Sequence, residues 1–201
     1  MKNISRAAAR RLFAAGMTIY LVGCAVMTSN EQLNEKARAM YLDKSDDSRF
    51  SFKKHSFSAL SFNTQGCKVI YADTYQINRS DDEISPPRSR AIKEYLNSSH
   101  AGIRNFPSPA SVRWRSKDGQ EHQASIDIAS IFRDQRVLHN VPGENIAPSA
   151  YVGEPHIVLV VDDRTISVYI ATYIPLKNPR VPTNPNSDYI DEPIVAFAKT
   201  Y

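Results

Sequence analysis

The chain has 201 residues, 42% hydrophobic and 23% charged, a length and composition that fit one domain with a real core and exclude wholesale disorder. Its formal charge of +4 comes from 25 basic against 21 acidic residues. Lys2, Arg6, Arg10 and Arg11 account for that excess, so the rest of the chain is balanced and gives no basis for nucleic-acid binding.

Residues 1–11 are basic and contain no acid, and residues 12–23 form a short apolar run that ends at Cys24. Twelve helical residues span only about 18 Å, well short of the roughly 30 Å hydrocarbon core that a permanent transmembrane helix crosses. This order reads as a secretory signal. Leu21-Val22-Gly23-Cys24 resembles the lipobox of bacterial lipoproteins. The resemblance implies cleavage before Cys24, diacylglycerol on its sulfur and a further acyl chain such as palmitate on its amino group. Several chains anchor stably where one holds only marginally. Ala25 follows, rather than the Asp associated with inner-membrane retention, so the resemblance implies the outer membrane, facing the periplasm. The bilayer is then a partner through acylated Cys24. Only Cys67 remains, which excludes an intrachain disulfide and reads as a small apolar residue at the start of a strand.

Residues 24–49 read as a tether with a short helix, capped by Asn30, whose Leu33, Ala37, Met40 and Tyr41 share a face. The polar stretch 43–48 reads as loose. From Phe50 the period changes towards a strand, through Phe52, Phe57, Leu60 and Phe62, and Val69, Tyr71 and 74–77 continue an extended pattern. Residues 78–87 read as a loop, 88–96 as a short helix, and 97–109 as a loop rich in Ser, Asn, Gly and Pro.

Two hairpins are the clearest local signals. In the first, Val112 and Trp114 alternate with Arg113 and Arg115, Asp118-Gly119 turns the chain, and Ile126 and Ile128 return. In the second, Ile157, Leu159 and Val161 lead through Asp162-Asp163-Arg164 to Ile166, Val168 and Ile170. The unbroken apolar run 157–161 predicts a central strand. A helical turn is expected around Ile131-Phe132, an exposed irregular excursion over 175–187 with its four prolines, and a last strand through Ile194, Ala196 and Ala198. The expected architecture is mainly β or α+β: an antiparallel sheet or sandwich with one or two short helices, forming one globular domain over 50–201.

The sequence carries no Gly-x-Ser-x-Gly elbow, no His-Glu-x-x-His pair and no phosphate-binding glycine loop. Ser51-x-x-Lys54 lies in a strand-like stretch without its companion motifs. Asp81-Asp82-Glu83 reads as a solvated loop and Asp162-Asp163 as turn chemistry. Asp127, Asp134 and His139 form the one conceivable catalytic set, with a structural network as the simpler reading. The expectation is therefore no enzyme, no metal and no cofactor. Arg113, Arg115, Arg133 and Arg136 suit a carboxylate-bearing protein partner. Ten Tyr against one Trp enrich a binding surface, with Tyr151, Tyr173, Tyr189 and Tyr201 as its candidates.

The lipobox, a single domain of about 150 residues, and the run from Val112-Arg113-Trp114-Arg115 through Asp127, Ile131-Phe132 and His139-Asn140 to Val160-Val161-Asp162-Asp163-Arg164 are similar to small bacterial immunity lipoproteins. The likeness is to those that guard against phospholipase effectors delivered by type VI secretion. It implies a periplasmic protein that binds a toxic effector protein and occludes it, with specificity in the exposed loops 78–87, 142–155 and 175–189. The alternative is a structural or assembly lipoprotein of an envelope complex.

Overall fold

The computed structural model describes residues 29–45, 47–148 and 151–201. The signal region and lipobox, Cys24 included, lie outside the described residues. Alternation of apolar and polar residues produces most of the strands. Ala110, Val112 and Trp114 of β5 (Ala110–Arg115) point inward, and Ala124 and Ile126 of β6 (Glu121–Ile126) do the same. The two strands pair in register, Val112 on Ala124 and Trp114 on His122, around a turn in which Gly119 has φ 83°.

Strands β1 (Lys54–Phe62), β2 (Gln65–Tyr71), β3 (Thr74–Asn78) and β4 (His100–Arg104) precede this hairpin. Strands β7 (His156–Asp162), β8 (Thr165–Ala171), β9 (Ile174–Pro175), β10 (Tyr189–Ile190) and β11 (Ile194–Thr200) follow it. They form a five-stranded sheet in the order β11-β8-β7-β1-β4, a four-stranded antiparallel sheet in the order β3-β2-β5-β6, and the small pair β9-β10. The pairing of β1 with β7 is parallel, so the larger sheet is mixed. The fold is α+β and sandwich-like, as the strand patterning leads one to expect.

The two sheets enclose Phe57, Cys67, Val69, Tyr71, Val112, Trp114, Ile157, Leu159, Val161 and Ile166, all at most 2% exposed. Each fully buried aliphatic side chain stabilises the fold by about 1.5–3 kcal/mol. β7 is apolar throughout because both of its faces are covered. Ile157, Leu159 and Val161 face the sandwich, whereas Val158 and Val160 join Phe62 and Ile92 in a second cluster.

Several local expectations change. The helix expected over 88–96 is a 3-10 turn, Ile92–Tyr95, which places Ile92 over β7. Residues 100–104, read as loop, are the edge strand β4; only Ile103 is buried, so no period marks it. Phe50 lies in the 3-10 turn Ser48–Phe50, begun by Asp47, rather than in a strand. Between β2 and β3 the chain reverses at Ala72-Asp73, both at positive φ. Such turns favour Asn-Gly, so an Ala-Asp pair hides the reversal in the sequence.

The first helix, α1 (Ser29–Tyr41), starts one residue before Asn30, which therefore does not cap it. Its expected packing face holds only in part: Tyr41 packs against the core and Ala37 is half-buried, but Leu33 and Met40 are each 63% exposed, and polar Asn34, Glu35 and Arg38 supply the other contacts with the domain. Asp43 is not part of a loose stretch but is 7% exposed. The second helix, α2 (Ile128–Ile131), is capped by Asp127, whose carboxylate accepts from Ser130 N at 3.0 Å.

Candidate protein-binding surface

The segment after β8 builds a hydrogen-bonded arm. Tyr189 pairs with Pro175 and Ile190 with Ile174 across β9 and β10. Further out, Leu176 N donates to Asp188 O at 2.7 Å and Arg180 N to Ser187 O at 2.9 Å. On the other side, Ile146 bridges to Leu176, Ala147 N donates to Pro175 O at 3.1 Å, and Lys177 N donates to Asn145 O at 2.9 Å. The excursion expected over 175–187 is exposed and without strand from 177 to 186, while its base is clamped between 145–147 and 188–190. Ile146, Val152 and Ile174 root it in the core.

This arm carries exposed Tyr173 and half-buried Tyr189. Tyr173 and Tyr189 stack with ring centroids 4.9 Å apart and planes 27° apart, and Tyr173 is 46% exposed. Tyr151 is 75% exposed on the segment that leads into β7. His156 pairs with Ala171, so the segments bearing Tyr151 and Tyr173 leave the same end of the sheet. Aromatic rings on a fixed backbone give contact area with little ordering cost on binding. Tyr201 does not belong with them; it is half-buried edge-on to Trp114 at 5.6 Å, and burial raises its phenol pKa.

The four arginines separate into two places. Arg113 and Arg115 lie on the outer face of β5, where Arg115 pairs with Glu121 at 2.7 Å and Arg113 stands 3.8 Å from Asp81. Asp81 is also held by Lys68 at 2.8 Å, beside Gly66, whose positive φ and close approach to the Asp81 backbone leave no room for a side chain. Arg133 and Arg136 instead fasten the α1 region. Arg133 grips both oxygens of Glu35 at 3.0 and 2.9 Å. Arg136 is committed within the chain: it pairs with the Asp43 carboxylate and donates to the carbonyls of Asp43, Ser45 and Asp47 at 2.7–3.1 Å. It also donates to Ser51 Oγ at 3.0 Å, which gives Ser51 a structural role.

The structure takes Asp127, Asp134 and His139 apart. Asp127 caps α2, Asp134 pairs with Arg38, and His139 Nε2 meets Asp43 Oδ2 at 2.9 Å. Burial opposes ionisation of Asp43, but bonds from Arg136, His139 and Ser45 outweigh it and hold the carboxyl below the usual range. Cys67 is buried, which pushes its thiol up to about 12.

Three polar pairs had no sequence signal because long separations or a sheet register create them. Asn105 Nδ2 donates to Phe52 O at 2.9 Å, turning its Oδ1 towards His55 Nδ1 at 2.8 Å. His55 Nδ1 is then the donor, and Nε2 accepts from the Tyr71 hydroxyl at 3.0 Å. Burial lowers the His55 pKa, so the ring stays neutral in the core. Ser58 Oγ donates to Ser98 O at 2.7 Å, so the 2.6 Å contact with His156 Nε2 takes its proton from the imidazole. That polarity is the reverse of a serine activated by a base. Ser116 Oγ meets His122 Nε2 at 2.9 Å at the hairpin turn, and His122 stacks on Trp114.

Among the described residues no three His, Cys, Asp or Glu side chains converge as a metal site, and no helix is long and apolar enough to cross a membrane. No family model, curated protein or solved structure matches the chain.

Proposed function

We propose that this is a lipid-anchored binding protein that captures and occludes a toxic effector protein, specifically a phospholipase, at the periplasmic face of the outer membrane. The observation that carries the binding role is the Tyr173–Tyr189 stack on the clamped arm, with exposed Tyr151 on the segment that enters the same end of the sheet. Tyrosine is over-represented at the centres of protein interfaces, where a few large side chains supply most of the affinity. The other half of the reading rests on Leu21-Val22-Gly23-Cys24 and the likeness to immunity lipoproteins. Occlusion asks no chemistry of the binder itself; it needs only a preformed surface larger than the effector's active-site mouth.

The test is capture in the cell envelope. A photoreactive amino acid replaces Tyr151, which leaves the stack intact, and the crosslinked product is identified by mass spectrometry. The proposal expects a crosslink to a secreted phospholipase whose activity the purified protein abolishes at equal molar ratio. Crosslinks to resident subunits of an envelope assembly overturn it in favour of a structural lipoprotein.

A further inference from the structure

Helix α1 packs on the domain with its polar side, joined at its last residue by Tyr41 against the core. Asn34 bonds the backbone of Ala198, Glu35 takes the Arg133 fork, and Arg38 pairs with Asp134. Both acids of the helix, Glu31 and Glu35, line the cleft of about 840 Å³ that α1 forms with β6, α2 and β11. The opposite face carries Leu33 and Met40, two turns apart and each 63% exposed, with exposed Lys36 between them and no acid. A helix that serves only a globular core shows the reverse arrangement, with its apolar stripe turned inward.

We propose that this outer face of α1 lies on an anionic lipid surface, with Leu33 and Met40 at the boundary of headgroups and acyl chains and Lys36 at the phosphates. Apolar residues beside a cation and free of acid are a small version of the face that interfacial helices present to anionic lipid. Two side chains are too little surface for a stable second copy, which needs about 800 Å² from each partner. Cys24 precedes Ser29 by five residues, and five extended residues reach at most about 18 Å. The inference rests on the anchoring at Cys24 proposed above, since two apolar side chains bind weakly unless a tether raises their effective concentration. Because α1 is fixed to the sandwich by Asn34, Glu35 and Arg38, the contact sets the orientation of the whole domain on the bilayer.

The test uses the full chain with Leu33→Trp on vesicles of phosphatidylethanolamine and phosphatidylglycerol, with and without brominated acyl chains. Tyr75→Trp, on the β3 edge of the smaller sheet, is the control; the native Trp114 is 2% exposed and serves as background. Mass spectrometry first establishes whether cells acylate Cys24. If they do not, the anchoring reading fails by itself, and a maleimide lipid coupled to the Cys24 thiol supplies the tether so that the helix face is still read. Brominated chains are expected to reduce the emission of Leu33→Trp at least about twofold and to leave Tyr75→Trp unchanged. Tethered protein whose Leu33→Trp emission is unaffected, or falls no more than that of Tyr75→Trp, overturns the inference. So does a change that tracks protein concentration without lipid, which assigns the face to a second copy.

Discussion

The side-chain amide of Asn34 completes the edge of β11 at a single residue: its Nδ2 donates to Ala198 O at 3.1 Å, and Ala198 N donates to its Oδ1 at 2.9 Å. An edge strand leaves such groups unpaired, and here one side chain takes the place of a neighbouring strand. Asn34→Ala removes both bonds and is expected to cost about 1–2 kcal/mol. Hydrogen exchange at the Ala198 amide should quicken while the β7 amides stay protected. Unchanged exchange at Ala198 would remove Asn34 from this role.

Arg136 is the larger structural commitment. It joins the segment after α1 to the start of the domain through Asp43, Ser45, Asp47 and Ser51. Arg136→Met leaves Asp43, 7% exposed, without its main cationic partner, and the expected loss is about 3 kcal/mol in urea unfolding. Arg136→Lys recovers only part of it, because an ammonium cannot span the same acceptors. A loss under about 1 kcal/mol for Arg136→Met would contradict the assignment.

Stability is expected to fall on mild acidification. Burial lowers the pKa values of both His55 and His156 below 6.5. The unfolded chain therefore binds more protons than the folded one as pH drops through 6.5, and stability declines with it, by at most about 1.4 kcal/mol per pH unit for each ring. His55→Gln should be less stable at pH 7.5 and show a shallower decline between pH 6.5 and 5.5. An equally steep decline in that variant would assign the pH dependence elsewhere.

Cys67 should resist thiol reagents in the native state. It is buried with its thiol pushed up to about 12, so the reactive thiolate is scarce as well as covered. Labelling should follow the unfolding transition in urea. Rapid labelling of native protein would show that the core opens at β2 well below global unfolding.

What the sequence disclosed depended on whether a signal was local. The β5–β6 and β7–β8 hairpins were legible because alternation and Asp-rich turns lie within each short segment, and the double burial of β7 was legible in its unbroken apolar run. The edge strand β4 was not, since a strand with one buried residue has no period. The apolar spacing of α1 marks the packed side only at Tyr41; Leu33 and Met40 turn outward because polar bonds and ion pairs from Asn34, Glu35 and Arg38 dock the rest of the helix. Tyr173 and Tyr189 were visible only as residue types; their stacking depends on the arm folding back through the β9–β10 pair. The scattering of Arg113, Arg115, Arg133 and Arg136 has the same origin, since spacing along the chain says nothing of which carboxylate each meets.

On the proposed function the stacked tyrosines hold the effector. The most direct measurement is the affinity of Tyr173→Ala/Tyr189→Ala for the phospholipase recovered with the native protein, by titration calorimetry. Tyr173 is exposed, Tyr189 is half-buried on the edge pair β9–β10, and their stacking contributes only about 0.5–1.5 kcal/mol, so the variant is expected to stay folded, which its unfolding curve checks. Binding is expected to weaken by about 100-fold or more, as befits two aromatic anchors of an interface, with inhibition lost in parallel. Affinity and inhibition equal to those of the native protein would contradict it.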